Sequence, residues 1–244
     1  MPSSSETELA ALLASRAQTL QNQTSVARTL QEVVDLAATT VEGADFAGVT
    51  FLGQDGRFDS RAYTATLVMQ LDEAQYKLGE GPCQQEMADG DSLRYISDMS
   101  AELRWPRFTE RARTLGVGSM LVCHLPSPSG TISSLNLYSV KSLAFDASAQ
   151  NVAAIYAAHA TVALSNATVV DNLAKAMDSR QIIGEATGIL MERYRVTSPQ
   201  AFDMLVHASQ TMNVKLRVVA RQVTKTGISP GAMRAHEFDD PIGG

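Results

Sequence analysis

From Ala147 to Arg195 the chain contains no proline and is rich in alanine, with Gly184 and Gly188 its only glycines. A stretch of that kind is expected to form one continuous α-helix, bent if anywhere at those glycines, and at about 1.5 Å per residue it exceeds ~60 Å. Its residues fit a heptad frame, with Ile155, Val162, Val169, Ala176 and Ile183 at one seam position and His159, Asn166, Leu173 and Arg180 at the other. A buried polar residue in such a seam commonly fixes the register of a two-stranded coil, so a parallel homodimer is expected.

Ahead of this helix the texture changes. Ser3-Ser4-Ser5 and Glu6 precede Leu9, Leu12, Leu13, Ala17 and Leu20 at helical spacing, which places an N-terminal helix within residues 1–26. Thr24 or Ser25 caps a second helix whose stripe is Val26, Leu30, Val33, Val34, Ala37 and Val41, stopped by Gly43. Strands rich in β-branched and aromatic residues follow at 47–52, 57–64, 92–97, 118–126 and 131–140, with helices between them at 66–77, 83–89 and 105–115. This order predicts an α+β domain over residues 27–165, one antiparallel sheet with flanking helices.

Residues 166–227 read as a coiled-coil extension and an all-α three-helix bundle. Ser198-Pro199, or Thr197 with Gln200 as a capping box, starts a helix with Ala201, Phe202, Leu205, Ala208 and Met212 on one face. Asn213 is placed to cap a last helix, which buries Leu216, Val219, Ala220 and Val223 and ends at Gly227. Residues 228–244 read as a flexible tail.

Charge is distributed unevenly. The net charge is -6, yet residues 172–227 carry 8 basic and 4 acidic side chains while residues 1–171 carry 11 and 19. Arg217, Arg221 and Lys225 fall at i, i+4 and i+8 on the side of the last helix away from its apolar face. Such a ridge suits phosphate oxygens, and it is equally the polar side that any surface helix turns to water. Apolar residues at 45% and charged residues at 19% exclude general disorder. No stretch reaches the roughly 18 uninterrupted apolar residues of a membrane span, and MPSSSETELA has no basic segment before an apolar run, so a cytoplasmic protein without membrane contact is expected. Two cysteines, Cys83 and Cys123, support neither a disulfide framework nor a zinc site, and no metal site is expected.

The segments SRQIIGEATGILMERY (179–194) and SPQAFDMLVHASQTMNVKLRVVARQVTKTG (198–227) resemble the ANTAR domain, an RNA-binding antiterminator module of bacterial regulators. The marks are Ser179-Arg180, Ile183-Gly184, Ala186, Gly188-Ile189-Leu190-Met191, Ala201-Phe202, Leu205, Ser209, Asn213, Leu216 and Ala220. Small Gly184, Ala186 and Gly188 would let another helix approach closely. The resemblance implies a dimer binding two stem-loops of nascent RNA and so preventing a terminator hairpin; the candidate contacts are Arg180, Arg193, Arg195, Lys215, Arg217, Arg221 and Lys225. Arg180 is also placed to pair with Asp178 or Glu185. Thr187 stands where many family members carry lysine or glutamine.

The preceding region resembles a GAF domain of the kind found before ANTAR modules in actinobacterial regulators. Gly79-Glu80-Gly81-Pro82-Cys83, Trp105-Pro106-Arg107-Phe108, Gly116-Val117-Gly118-Ser119, Leu135-Asn136-Leu137-Tyr138 and Ala144-Phe145-Asp146 carry that likeness. It implies a sensor, with the effector open among small molecules, haem, bilins, cyclic nucleotides and redox state, so no cofactor is assigned. Candidate effector-pocket or redox residues are Cys83, Cys123 and His124; adjacent Cys123 and His124 must point to opposite faces of a strand. Cys83 reads as a packed residue or, at a helix start, as a reactive thiol. The expected protein is a non-enzymatic RNA-binding regulator. A thiol-dependent enzyme of the methionine sulfoxide reductase type and a protein-interaction module are the alternatives; the first needs Cys123 as resolving partner to Cys83.

Overall fold

The computed structural model describes residue 15 and residues 25–52, 58–83, 85, 92–126, 133–228 and 230–232. The expected helix over residues 1–26 lies almost wholly outside them. Contacts divide the chain into two compact units, Met1–Asp171 and Asn172–Gly244.

In the first unit, helices α1 (Val26–Thr40), α2 (Thr66–Leu78) and α3 (Pro106–Thr114) surround strands β1 (Phe46–Leu52), β2 (Phe58–Tyr63), β3 (Leu93–Ile96), β4 (Ser119–Leu125) and β5 (Ser133–Ser139). The strands form one antiparallel sheet in the order β2-β1-β5-β4-β3. Its two faces follow from the two-residue period of the strands. Leu121, Cys123, Leu125, Leu135 and Leu137 meet α1 and the first half of a long helix, α4 (Ala147–Tyr194), while Met120, Val122 and Tyr138 meet α2 and α3. Gly48 lets α2 approach the sheet, since a Cβ there would lie 2.4 Å from the Val68 side chain.

Helix α4 is continuous for 48 residues, as its sequence requires. One side buries Ala149, Val152, Ala153, Tyr156, Ala157, Ala160, Ala163 and Leu164 against the sheet, and the Tyr156 hydroxyl donates to the Val33 carbonyl at 2.9 Å. By length and composition alone α4 could also cross a membrane, but this buried side is part of the first unit's core. The expected seam residues Ile155, Val162, Val169 and Leu173 lie on the surface, 47–64% exposed. Ile183 departs from that seam: it packs with the bundle core, because beyond Ser179 the helix turns its apolar side to its bundle partners.

In the second unit the end of α4 packs with α5 (Ser198–Met212) and α6 (Leu216–Thr226) around Ala186, Leu190, Ala201, Leu205, Val219, Ala220 and Val223. Thr197 caps α5 with Gln200, whose side-chain oxygen accepts the Thr197 N–H at 2.9 Å. Asn213 does not cap α6, contrary to the expectation from spacing. It closes α5 in the left-handed conformation (φ 52°, ψ 46°), and Lys215 holds the N-cap position of α6. Asparagine tolerates positive φ, and its N–H reaches the last carbonyls of α5, so one residue serves the stop rather than the next start. Gly184 and Gly188 are exposed, with nothing among the described residues within 4 Å of an added Cβ, so no helix among those residues packs closely on either; Ala186 alone of the three is buried. Of the expected flexible tail, Pro230–Ala232 forms a 3-10 turn and residues 233–244 lie outside the described residues.

Candidate nucleic-acid interface and effector site

The seven basic candidates of the second unit differ in what engages them. Arg193 and Arg221 tie the bundle together: the Arg193 guanidinium donates to the Gly227 carbonyl at the end of α6, and Arg221 meets Asp178 of α4 at 3.2 Å. Asp178 therefore pairs with Arg221 rather than with Arg180, and Glu185 accepts instead from Gln181 at 2.9 Å. Arg195 sits at positive φ where the chain leaves α4 and meets Glu192 at 3.0 Å. Arg180, Lys215 and Lys225 are exposed, while Arg217 is half-buried. Of the expected ridge, Arg221 and Lys225 are exposed and Arg217 is half-buried, and Arg221 is also engaged with Asp178. Thr187 is 8% exposed and donates to the Ile183 carbonyl at 2.7 Å, so a longer residue there would have to reach outward past the bundle.

In the first unit the sheet face under α2 carries a polar row of which sequence reasoning named only His124. Register aligns His124, Ser134, Thr50 and Ser60 across β4, β5, β1 and β2. Above the row stands Asp72 of α2, one carboxylate oxygen accepting from Thr50 at 2.6 Å and from Ser60 at 2.5 Å. The network continues inward. Asn136 donates to Thr50 at 2.9 Å, the Cys83 thiol donates to Asn136 at 3.4 Å, and Gln75 donates to the Cys83 sulfur at 3.3 Å while accepting the Cys83 N–H. Burial pushes Asp72 up from 3.8 to about 6 against the opposing hydrogen bonds of Ser60 and Thr50. Burial first, and then the Asp72 charge, raise the Tyr138 phenol well above its ordinary value. The other Asp72 oxygen, the Ser134 hydroxyl and His124 Nδ1 are buried without a hydrogen-bond partner among the described residues. Polar atoms in that state are costly, and a bound polar molecule or water would satisfy them.

Two sequence segments noted separately meet beside this face. The Glu80 carboxylate accepts from the Arg107 and Phe108 N–H groups at the start of α3 and from the Arg107 side chain at 2.8 Å, and these bonds hold its pKa below the usual carboxylate value. An acidic side chain at a helix N-terminus is the arrangement that the helix dipole favours. Gly81 is required behind it, because at φ 146° a Cβ would lie 2.3 Å from the Gln75 side-chain oxygen.

The thiols and the histidine separate. Cys123 and His124 point to opposite faces of β4, as alternation demands, and Cys123 belongs to the core under α1 and α4. Cys83 belongs to the core under α2 and α3, so the sheet lies between the two sulfurs and Cys123 cannot resolve a bond formed at Cys83. Both thiols are buried. Among the described residues no group of three or more His, Cys, Asp or Glu side chains is arranged to hold a metal ion.

Residues 23–165 match the GAF domain and residues 171–223 the ANTAR domain. No curated protein matches the chain. Among solved structures, the fold is similar to the phytochrome photosensory core module of Stigmatella aurantiaca, with a TM-score of 0.62 and 10% identity over 89% of this chain and 47% of that one. It is similar also to the chromophore-binding domain of the bacteriophytochrome RpBphP3 from R. palustris, with a TM-score of 0.54 and 10% identity over 71% of this chain and 64% of that one. The chain spans about half the length of the first and less than two thirds of the second. At such identity the likeness concerns the fold alone. GAF domains sense small molecules and ANTAR domains bind RNA in antitermination, the combination of a regulator. This chain belongs to the GAF family, its GAF domain followed on the same polypeptide by an ANTAR domain.

Proposed function

We propose that this protein is a cytoplasmic transcription antitermination regulator that binds stem-loops of nascent RNA as a homodimer. The observation that carries the reading is that an ANTAR bundle keeps Arg180, Lys215, Arg221 and Lys225 at its surface. Guanidinium and ammonium groups so placed supply the salt-sensitive, backbone-directed part of RNA binding. The exposed apolar stripe Ile155, Val162, Val169 and Leu173 supports pairing of two α4 helices, which would present two bundles to linked stem-loops and raise the effective concentration of the second contact. The polar row beneath Asp72 is the place for an effector of the sensor domain. Two buried thiols on opposite faces of one sheet argue against thiol-dependent turnover.

Equilibrium binding of the full chain to RNA carrying two stem-loops, repeated across salt concentrations, tests this. Affinity should fall steeply with salt, and Lys215→Ala with Lys225→Ala should reduce the slope by roughly 0.7 for each single-strand phosphate that is no longer neutralised. A flat salt dependence, or an unchanged slope in the double variant, would refute the phosphate-contact reading.

A further inference from the structure

The second unit contains a cavity of about 370 Å³ lined by Tyr194, Met204, His207, Thr211, Met212 and Pro230. Tyr194 closes α4, four of the others come from α5, and Pro230 opens the 3-10 turn. The walls are aromatic and sulfur-rich, no carboxylate among the described residues lines them, and Tyr194 is 42% exposed. Basic residues lie around it, Lys225 exposed, Arg195 paired with Glu192 and Arg193 bonded to the Gly227 carbonyl. Arg193 and Arg195 flank Tyr194 in the chain, and the bond from Arg193 to the Gly227 carbonyl brings the last turn of α6, with Lys225, to the end of α4.

A concave aromatic surface among cations suits a planar ring carried on a polyanion. Single-stranded RNA offers that in the unstacked bases of its loops, which stack on aromatic side chains while the backbone meets basic groups. We propose that this cavity receives one extruded loop base, stacked on Tyr194, with Arg195 and Lys225 facing the phosphates on either side of it. The proposal rests on the RNA-binding reading above and adds to it the part of the bundle that reads a loop. The ridge of α6 supplies attraction without preference for sequence, and the cavity is where a loop is told from a paired stem.

The test uses the full chain and two synthetic RNAs, a stem-loop selected from a library with a randomised loop and a fully paired duplex of the same stem. Tyr194→Ala should weaken stem-loop binding by roughly 5- to 150-fold, the range for loss of one stacked base, and leave duplex binding and the salt slope as in the parent. Tyr194→Phe should keep the affinity. Abasic substitution at one loop position should weaken binding by the parent chain to the same extent, and add nothing in Tyr194→Ala. Indifference of the parent to every abasic position needs no variant to be seen, so the proposal can be overturned even should Tyr194→Ala fold poorly. Stem-loop binding within twofold of the parent for Tyr194→Ala, or a parent indifferent to every abasic position, would overturn the proposal and leave the ridge reading intact. Failure of the parent to bind any RNA would remove the reading beneath it and the proposal together. Equal losses of thermal stability from Tyr194→Ala and from deletion of residues 233–244, with RNA affinity unchanged, would assign the cavity to the chain's own end. A shift from dimer to monomer in Tyr194→Ala, again with RNA affinity unchanged, would assign it to a second copy; either result overturns the proposal.

Discussion

Replacing Asp72 by asparagine should remove the pH dependence that this carboxylate gives the sensor unit between pH 4 and 7.5. Asp72 is 2% exposed, and its folded pKa is raised from 3.8 to about 6 by burial. An acid with a raised folded pKa holds its proton more firmly in the native state. Stability therefore increases as pH falls through about 6, levels off below 3.8, and carries the full penalty above pH 6. A tenfold change in proton affinity corresponds to about 1.36 kcal/mol, so the penalty is about 3 kcal/mol. Asparagine keeps an oxygen to accept from Thr50 and Ser60 but sets an NH2 group where the second carboxylate oxygen has no partner, which costs about 1–3 kcal/mol at every pH. Asp72→Asn should thus be less stable than the parent at pH 4 and equal to it or more stable at pH 7.5. The difference between the two proteins should swing by about 2.4 kcal/mol across that range, because at pH 4 part of the penalty is already present. Urea unfolding at several pH values measures it, followed by the fluorescence of Trp105, the single tryptophan, which is buried in the same core. Parallel stability curves would show that Asp72 is already ionised at no cost, and the account of this carboxylate would fail.

Three further outcomes are expected. Gly184→Ala with Gly188→Ala should raise the melting temperature of the bundle, since each position is helical and open and alanine is favoured over glycine by about 0.8–1.0 kcal/mol in a helix interior; a fall would mean that another molecule fills that space. Ile155→Glu with Val162→Glu should convert dimer to monomer in sedimentation velocity without loss of far-ultraviolet helix signal, and an unchanged sedimentation coefficient would exclude the seam. Cys83 and Cys123 should react with a thiol reagent only as fast as the protein unfolds; prompt labelling of Cys83 in the native state would revive a redox role.

Local periodicity was enough to find most elements of this protein. Alternation in SMLVCHL places Cys123 and His124 on opposite faces of β4, and the alanine-rich run without proline dictates α4, because each depends on residues within a turn or two of one another. The basic ridge was visible for the same reason. What the sequence could not disclose depends on segments far apart in the chain. Glu80 meets α3 at Arg107, Asp72 stands over hydroxyls from β1 and β2, and the sheet divides two thiols that composition alone would pair. Asn213 shows the same boundary at short range: either neighbouring helix had a use for it, and the geometry of the turn between them settled which. The residue types and their spacing determine the helices, the strands and the ridge. Burial, titration and the cavity at Tyr194 are decided by tertiary packing, because each is set by which distant groups exclude water from a side chain rather than by the side chain itself.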